Sequence, residues 1–271
     1  MSTVSVHPVT ERLPLRPLLN IAALIVTVAI NALANTLPLN GLSTGAVSDR
    51  FPSLVTPAGY VFSIWGLIYL LLAVFVVYQA LPAQRHNPRL VRLGYLFVLS
   101  CALNVVWLFT WHYLLIPLSL PVMLGLLGTL ILMYQRLEIG QSRVSRGETF
   151  AVRLAFSVYL GWITVATIAN VSVFLLERGA PLDWTSSFWA FIALTAATFV
   201  GLTMLRRRGD VAYALVLMWA LFVGIAAAQW GNEALLVLSA VAAAAYLAVQ
   251  AVRQRSRAAA SLSASASSPP K

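Results

Sequence analysis

Four groups of side chains in this sequence have the types and spacing to act together. Asn20, Thr27, Asn31 and Asn35 fall within one ~80° sector of a helix turning at about 100° per residue. Phe62, Trp65 and Tyr69 follow i, i+3, i+7 spacing, and so do Asn104, Trp107 and Trp111. Tyr159, Trp162, Ala166 and Asn170 carry the same line on to i+11. Amides and hydroxyls exchange hydrogen bonds, while indole and phenol rings stack on flat apolar surfaces and offer one N–H or O–H each. That is the chemistry of recognition. Acid–base chemistry would need carboxylates, and Glu11, Asp49, Glu138, Glu148, Glu177, Asp183, Asp210 and Glu233 all fall in loops or at the ends of apolar segments. Proton or sodium coupling, which draws on ionisable groups inside a membrane, has none mid-span to use. The one G-x-S-x-G match, Gly41–Gly45 in the first loop, follows an apolar helix rather than a strand and so makes no nucleophile elbow, and no phosphate-cradling glycine loop occurs. Cys101, the single cysteine, and the scattered His7, His86 and His112 make no metal set. No catalytic and no metal-ligating residue is therefore assigned, and enzymatic activity is the less favoured expectation.

The elements that must position these groups are membrane helices. The chain is 60% hydrophobic and 10% charged, against about 25% charged in a soluble domain. Segments 18–38, 57–80, 93–115, 117–136, 151–176, 186–205, 211–230 and 234–252 are each apolar over the ~20 residues that cross a bilayer. With the N-terminus inside, every Lys and Arg except Arg50 and Arg178 falls on the inner side, the asymmetry of the positive-inside rule. The predicted fold is all-α: a polytopic membrane bundle of eight transmembrane helices with both termini cytoplasmic, in a bacterial inner membrane. The net charge of +10 is then a solvated inner face meeting anionic lipid headgroups, and nucleic acid is not an expected partner. The start of the chain shows no cleaved signal peptide. Residues 253–271 read as a basic, Ser/Ala/Pro-rich disordered tail. The first outside loop, "LNGLSTGAVSDRFPSLVT", is long for a hairpin, and a lid or ordinary slack both fit it.

This orientation places the ends of helices 1, 3 and 5 and the start of helix 2 on the outer side. Their amides and rings then share the outer half, beneath the long loop, where a neutral aromatic-walled cavity would suit a flat amphipathic ligand. Interfacial Trp and Tyr offer a competing explanation, and Tyr60, Trp111, Trp184 and Trp230 sit where such a belt would put them. For Trp65 and Trp162, which lie deeper, core packing and ligand contact both remain open. Buried Asn side chains need partners in lipid, so Asn31, Asn35, Asn104 and Asn170 are expected to face other helices or a cavity.

Three blocks give the sequence a family likeness: "PAGYVFSIWGLIY" (Pro57–Tyr69), "LNVVWLF" (Leu103–Phe109) and "YLGWITVATIAN" (Tyr159–Asn170). In this order and spacing they resemble the TspO/MBR family of tryptophan-rich sensory and translocator proteins, over about residues 18–177. The resemblance implies a five-helix bundle, 18–177, with a pocket under the first loop. It would leave 1–17 as a cytoplasmic segment and 178–252 as three additional helices. Members of that family bind porphyrins and other tetrapyrroles, steroid-like lipids and synthetic ligands, and transport, sensing and porphyrin breakdown have all been proposed for them. Carried over by motif, the pocket wall comprises Tyr60, Phe62, Trp65, Asn104, Trp107, Tyr159 and Trp162, with Asn170 as a structural amide. Asn31, Asn35 and Tyr69 join them from the face analysis. The departures are Ala58 for the second of two paired prolines, Ser63 for a later proline, and Phe174 for the Tyr of a sterol motif. The expectation is a membrane protein that binds a hydrophobic ring ligand, porphyrin- or haem-like, for sensing or transport, and needs no cofactor. A permease for another amphipathic molecule and a porphyrin-modifying enzyme are the alternatives. The three additional helices would cover a surface that five-helix members use to dimerise, which favours a monomer.

Overall fold

A computed structural model describes residues 15–37, 39–51, 53–179 and 184–266, and among these every regular element is helical. The eight apolar segments each coincide with a rod. Helix α1 is Leu15–Thr36, and α2 opens as a 3₁₀ turn, Gly59–Ser63, that continues as Ile64–Ala80. Helices α3 and α4 are Leu96–His112 and Ile116–Arg136. Helix α5 is Arg146–Glu148, a π-helical stretch Thr149–Leu154, then Ala155–Glu177. Helix α6 is Trp184–Arg208; α7 is Val211–Met218 followed by a π-helical stretch, Trp219–Ala226; α8 is Ala234–Ala266.

Six of the described helical stretches are long and apolar enough to cross a membrane: Leu15–Thr36, Gly59–Ala80, Ile116–Arg136, Arg146–Glu177, Phe188–Arg208 and Ala234–Gln254. The chain is an integral membrane protein built as a helical bundle. Helix α3 has 17 residues, short of the usual span, and α7 changes helix type midway. Helix α8 extends to Ala266, which corrects the expectation of disorder from residue 253: the run Ala258–Ala260 adds good helix formers where Ser and Pro dominate further on. Residues 1–14 and 267–271, parts of the expected terminal segments, lie outside the described residues.

Helix α5 is the central rod, packing on α2, α4 and α7, and Phe156, Trp162, Ile163 and Val173 on it are buried. Gly161 is what lets α7 come so close. A Cβ there would lie 3.1 Å from the Val216 Cβ and 3.3 Å from the Tyr213 carbonyl oxygen. The Tyr213 hydroxyl donates to Thr164 Oγ1 at 2.8 Å across the same contact. Helices α6 and α7 are joined by a tight turn in which Gly209 takes φ +63° and Asp210 accepts from the Tyr213 amide. Asp210 is itself buried, and the Tyr134 and Ser157 hydroxyls donate to its other oxygen at 2.7 and 2.6 Å. The last three helices are thus laid directly against the first five.

Candidate functional site

The segment between α1 and α2 is a docked lid. Ser43 caps a short helix, Thr44–Asp49, by accepting from the Ala46 amide, and Val47 and Ser48 on that helix are buried. Three contacts fasten it to the end of α3. Trp111 donates from Nε1 to the Thr44 carbonyl at 3.2 Å, and Asn40 donates from Nδ2 to the His112 carbonyl at 3.1 Å. His112 Nδ1 lies 2.8 Å from the Leu108 carbonyl, so that nitrogen carries the proton and Nε2 accepts from the Thr44 hydroxyl at 3.4 Å. Trp111 is only 3% exposed, so its expected place in an interfacial belt is corrected: the lid covers it.

Under the lid lies a cleft of about 520 Å³, within the range of small-molecule sites. Asn31 and Asn35 line it from α1, Thr44 and Asp49 from the lid, and Phe62, Trp65 and Tyr69 from α2. The three aromatics share one face of α2, as their spacing requires. Trp65 stacks on Tyr69 with centroids 5.5 Å apart and planes 20° from parallel. Two features were not legible in the sequence. Asp49 brings a carboxylate to the cleft, and the Tyr69 hydroxyl is buried with no hydrogen-bond partner among the described residues.

Phe62 and Trp65 also wall a second, much smaller chamber of about 20 Å³. Trp107, Trp111, Trp162 and Asn170 complete its sides, with Ser48 and Pro57 above. Its volume is about that of one water or one heavy atom of a ligand. Phe62 and Trp65 both meet Trp162 edge-on, at 5.7 and 6.3 Å between centroids. Trp162 is 1% exposed and its indole N–H has no partner among the described residues. A buried indole usually finds an acceptor, so this donor stands ready for one.

The remaining amides hold helices together. Asn31 donates from Nδ2 to the Thr27 carbonyl (2.9 Å) and to Asn104 Oδ1 (3.0 Å), and Asn104 donates to the Tyr159 hydroxyl (3.4 Å). This chain runs from α1 through α3 to α5. Trp107 donates to Asn170 Oδ1 at 3.3 Å, and Asn170 donates to the Ser119 hydroxyl of α4 at 2.9 Å. Asn35 bonds back to the Asn31 carbonyl at 2.8 Å. Asn104 and Tyr159 line neither chamber. They stand behind the wall, with Tyr159 edge-on to Trp65.

Tyr60 departs from the expected wall. Its ring is 54% exposed and meets Trp219 of α7 edge-on at 6.5 Å, lining neither chamber. The 3₁₀ turn explains this: Tyr60 and Phe62, two residues apart, leave it on different sides. The belt assignment suits Tyr60 and Trp230, which is 75% exposed. The side chain of Trp184 lies outside the described residues.

The fold and site define a class: a helical membrane protein with a lidded, aromatic-walled cleft and amide groups at its edge. The chain belongs to the TSPO-like protein family, which it matches over residues 17–253. The match bears out the TspO/MBR resemblance and runs beyond residue 177, through α6, α7 and most of α8. Comparisons with curated proteins and with solved structures gave no match.

Proposed function

We propose that this protein binds a hydrophobic ring ligand of the tetrapyrrole class in the lidded cleft, for sensing or transport. The observation that carries this reading is the shared partition. Phe62 and Trp65 border both a cleft of about 520 Å³ and a smaller chamber that Trp162 also lines, and the buried Trp162 N–H has no partner among the described residues. Stacking surface comes from Trp65 and Tyr69, and polar anchoring from the Tyr69 hydroxyl and Asn31. Family membership supports the ligand class. In this reading all eight rods span an inner membrane with both termini inside, since Arg85, Arg89, Arg92 and Arg206–Arg208 gather at the end opposite the lid.

Titration of the purified protein in detergent with protoporphyrin tests this. Saturable absorbance changes are expected, with Trp65→Ala and Trp162→Ala each weakening affinity about tenfold or more, the loss of a stacked ring or of a buried donor. Absence of saturable binding, or binding that neither substitution alters, would overturn it. Flux of the same ligand in proteoliposomes separates transport from sensing.

A further inference from the structure

The resemblance from sequence left the last three helices without a role, and their contact with the start of α2 supplies one. Ala58 precedes the 3₁₀ turn, where a helix start leaves N–H groups without intrahelical partners. Its amide donates to the Gly224 carbonyl of α7 at 3.3 Å. Three residues on, the Val61 carbonyl accepts from Trp219 Nε1 at 3.3 Å. The Trp219 ring meets Tyr60 of the same turn edge-on. Between these points the two backbones touch. A Cβ on Gly224 would fall 2.6 Å from the Pro57 Cβ, closer than real side chains come, and 3.4 Å from Pro57 Cα and Val61 Cγ2. Trp219 and Gly224 both belong to the π-helical stretch of α7, a local widening often found where a helix serves a site.

The turn so held matters to both chambers. It carries Phe62, which walls the cleft and the smaller chamber, and follows Pro57, part of that chamber's roof. Directly next to this contact α2 and α7 part around an apolar groove of about 440 Å³, lined by Trp219 itself and by Leu67, Val158 and Leu215 among others. The contact therefore acts on the turn specifically and is no continuous helix–helix seam. We infer that Trp219 and Gly224 of α7 are positioning residues for the ligand site: they hold Pro57–Phe62 where the partition between the chambers must stand. This rests on the proposed ligand cleft, but the brace itself has a signature independent of any ligand.

The test uses the full-length protein and three variants. Trp219→Phe keeps a ring against Tyr60 and removes the donor to Val61. Gly224→Ala pushes on Pro57. Leu217→Ala is the control, because Leu217 is fully buried on α7 toward Gly201 of α6 and away from the turn. Hydrogen exchange of amides 58–63 is expected to rise in Trp219→Phe and Gly224→Ala and to stay at the wild-type level in Leu217→Ala, whatever that control does to the melting temperature. Protoporphyrin affinity should fall about three- to tenfold in the first two, the range of one lost hydrogen bond, and hold in the third. Unchanged exchange at 58–63 in both variants overturns the brace, even in a protein that binds porphyrin. Exchange that rises while affinity stays at the wild-type value overturns its role in the site. If wild-type protein binds no porphyrin, the proposed ligand class fails, and the exchange result still decides the brace.

Discussion

Asn31 donates its amide to its own helix at Thr27 and across to Asn104, leaving its side-chain oxygen as the group it can offer the cleft it lines. One residue thus serves assembly and recognition, and spacing alone could not separate the two. The aromatic face of α2 was legible because i, i+3, i+7 spacing puts Phe62, Trp65 and Tyr69 on one side whatever the tertiary context. Trp111 and Tyr60 were not. Both lie at helix ends, where a belt residue and a lidded residue have the same depth, and only the lid contact through Thr44 distinguishes them. Asp49 was legible as a loop carboxylate but not as part of the cleft. Its position makes a charge prediction. An exposed carboxylate facing the propionates of a bound porphyrin costs up to about 1 kcal/mol, so Asp49→Asn is expected to tighten protoporphyrin binding by up to about fivefold at low salt, with the gain fading at high salt. Titrations at two ionic strengths check it, and a weaker affinity in Asp49→Asn would contradict it.

At the scale of elements, the lid and the opposite end are both fixed by polar contacts that bridge distant segments. Arg89 and Asn87 hold Glu148 at the start of α5, with Arg89 Nε 2.6 Å from the carboxylate and the Glu148 side chain 6% exposed. Its hydrogen bond to Glu148 also raises the Arg89 pKa above the ordinary value. The Arg92–Glu138 pair, at 2.7 Å, is far more open. The hydrogen bond from Arg92 holds the Glu138 carboxyl below the usual carboxylate range. Such a lowered pKa contributes stability that is present above the unfolded value and lost as pH falls through the folded one. Because Glu138 is solvated, that pH dependence is expected to be slight. Glu148→Ala leaves Arg89 without its partner and should cost on the order of 2 kcal/mol, between the exposed and fully buried cases. Thermal melts in detergent should show Glu148→Ala well below wild type and Glu138→Ala close to it, and the reverse order would refute this ranking. None of these pairings was readable in advance, since each joins loops that only the packed bundle brings together. The all-helical character and the approximate bounds of the apolar segments were readable, because twenty apolar residues between charged loops leave few other structures. The π-helical stretches in α5 and α7 gave no sequence signal.

For the whole molecule, the five-helix resemblance found the family and stopped short of its extent. The three sequence blocks end at Asn170, yet the family match reaches residue 253, and α7 lies against both α5 and the opening turn of α2. The cue was absent because Trp219 reaches a backbone carbonyl 158 positions away, a partner no local pattern specifies. The eight rods thus form one structure around a cleft whose lid comes from the α1–α2 segment and whose partition is held from α7. The most direct measurement is a structure of the full-length protein with protoporphyrin bound. Ring density is expected under the Thr44–Asp49 helix, against Trp65 and Tyr69, with an acceptor atom within hydrogen-bond distance of Trp162 Nε1 or the Tyr69 hydroxyl. Density confined to the groove between α2 and α7, with the cleft under the lid empty, would contradict the account.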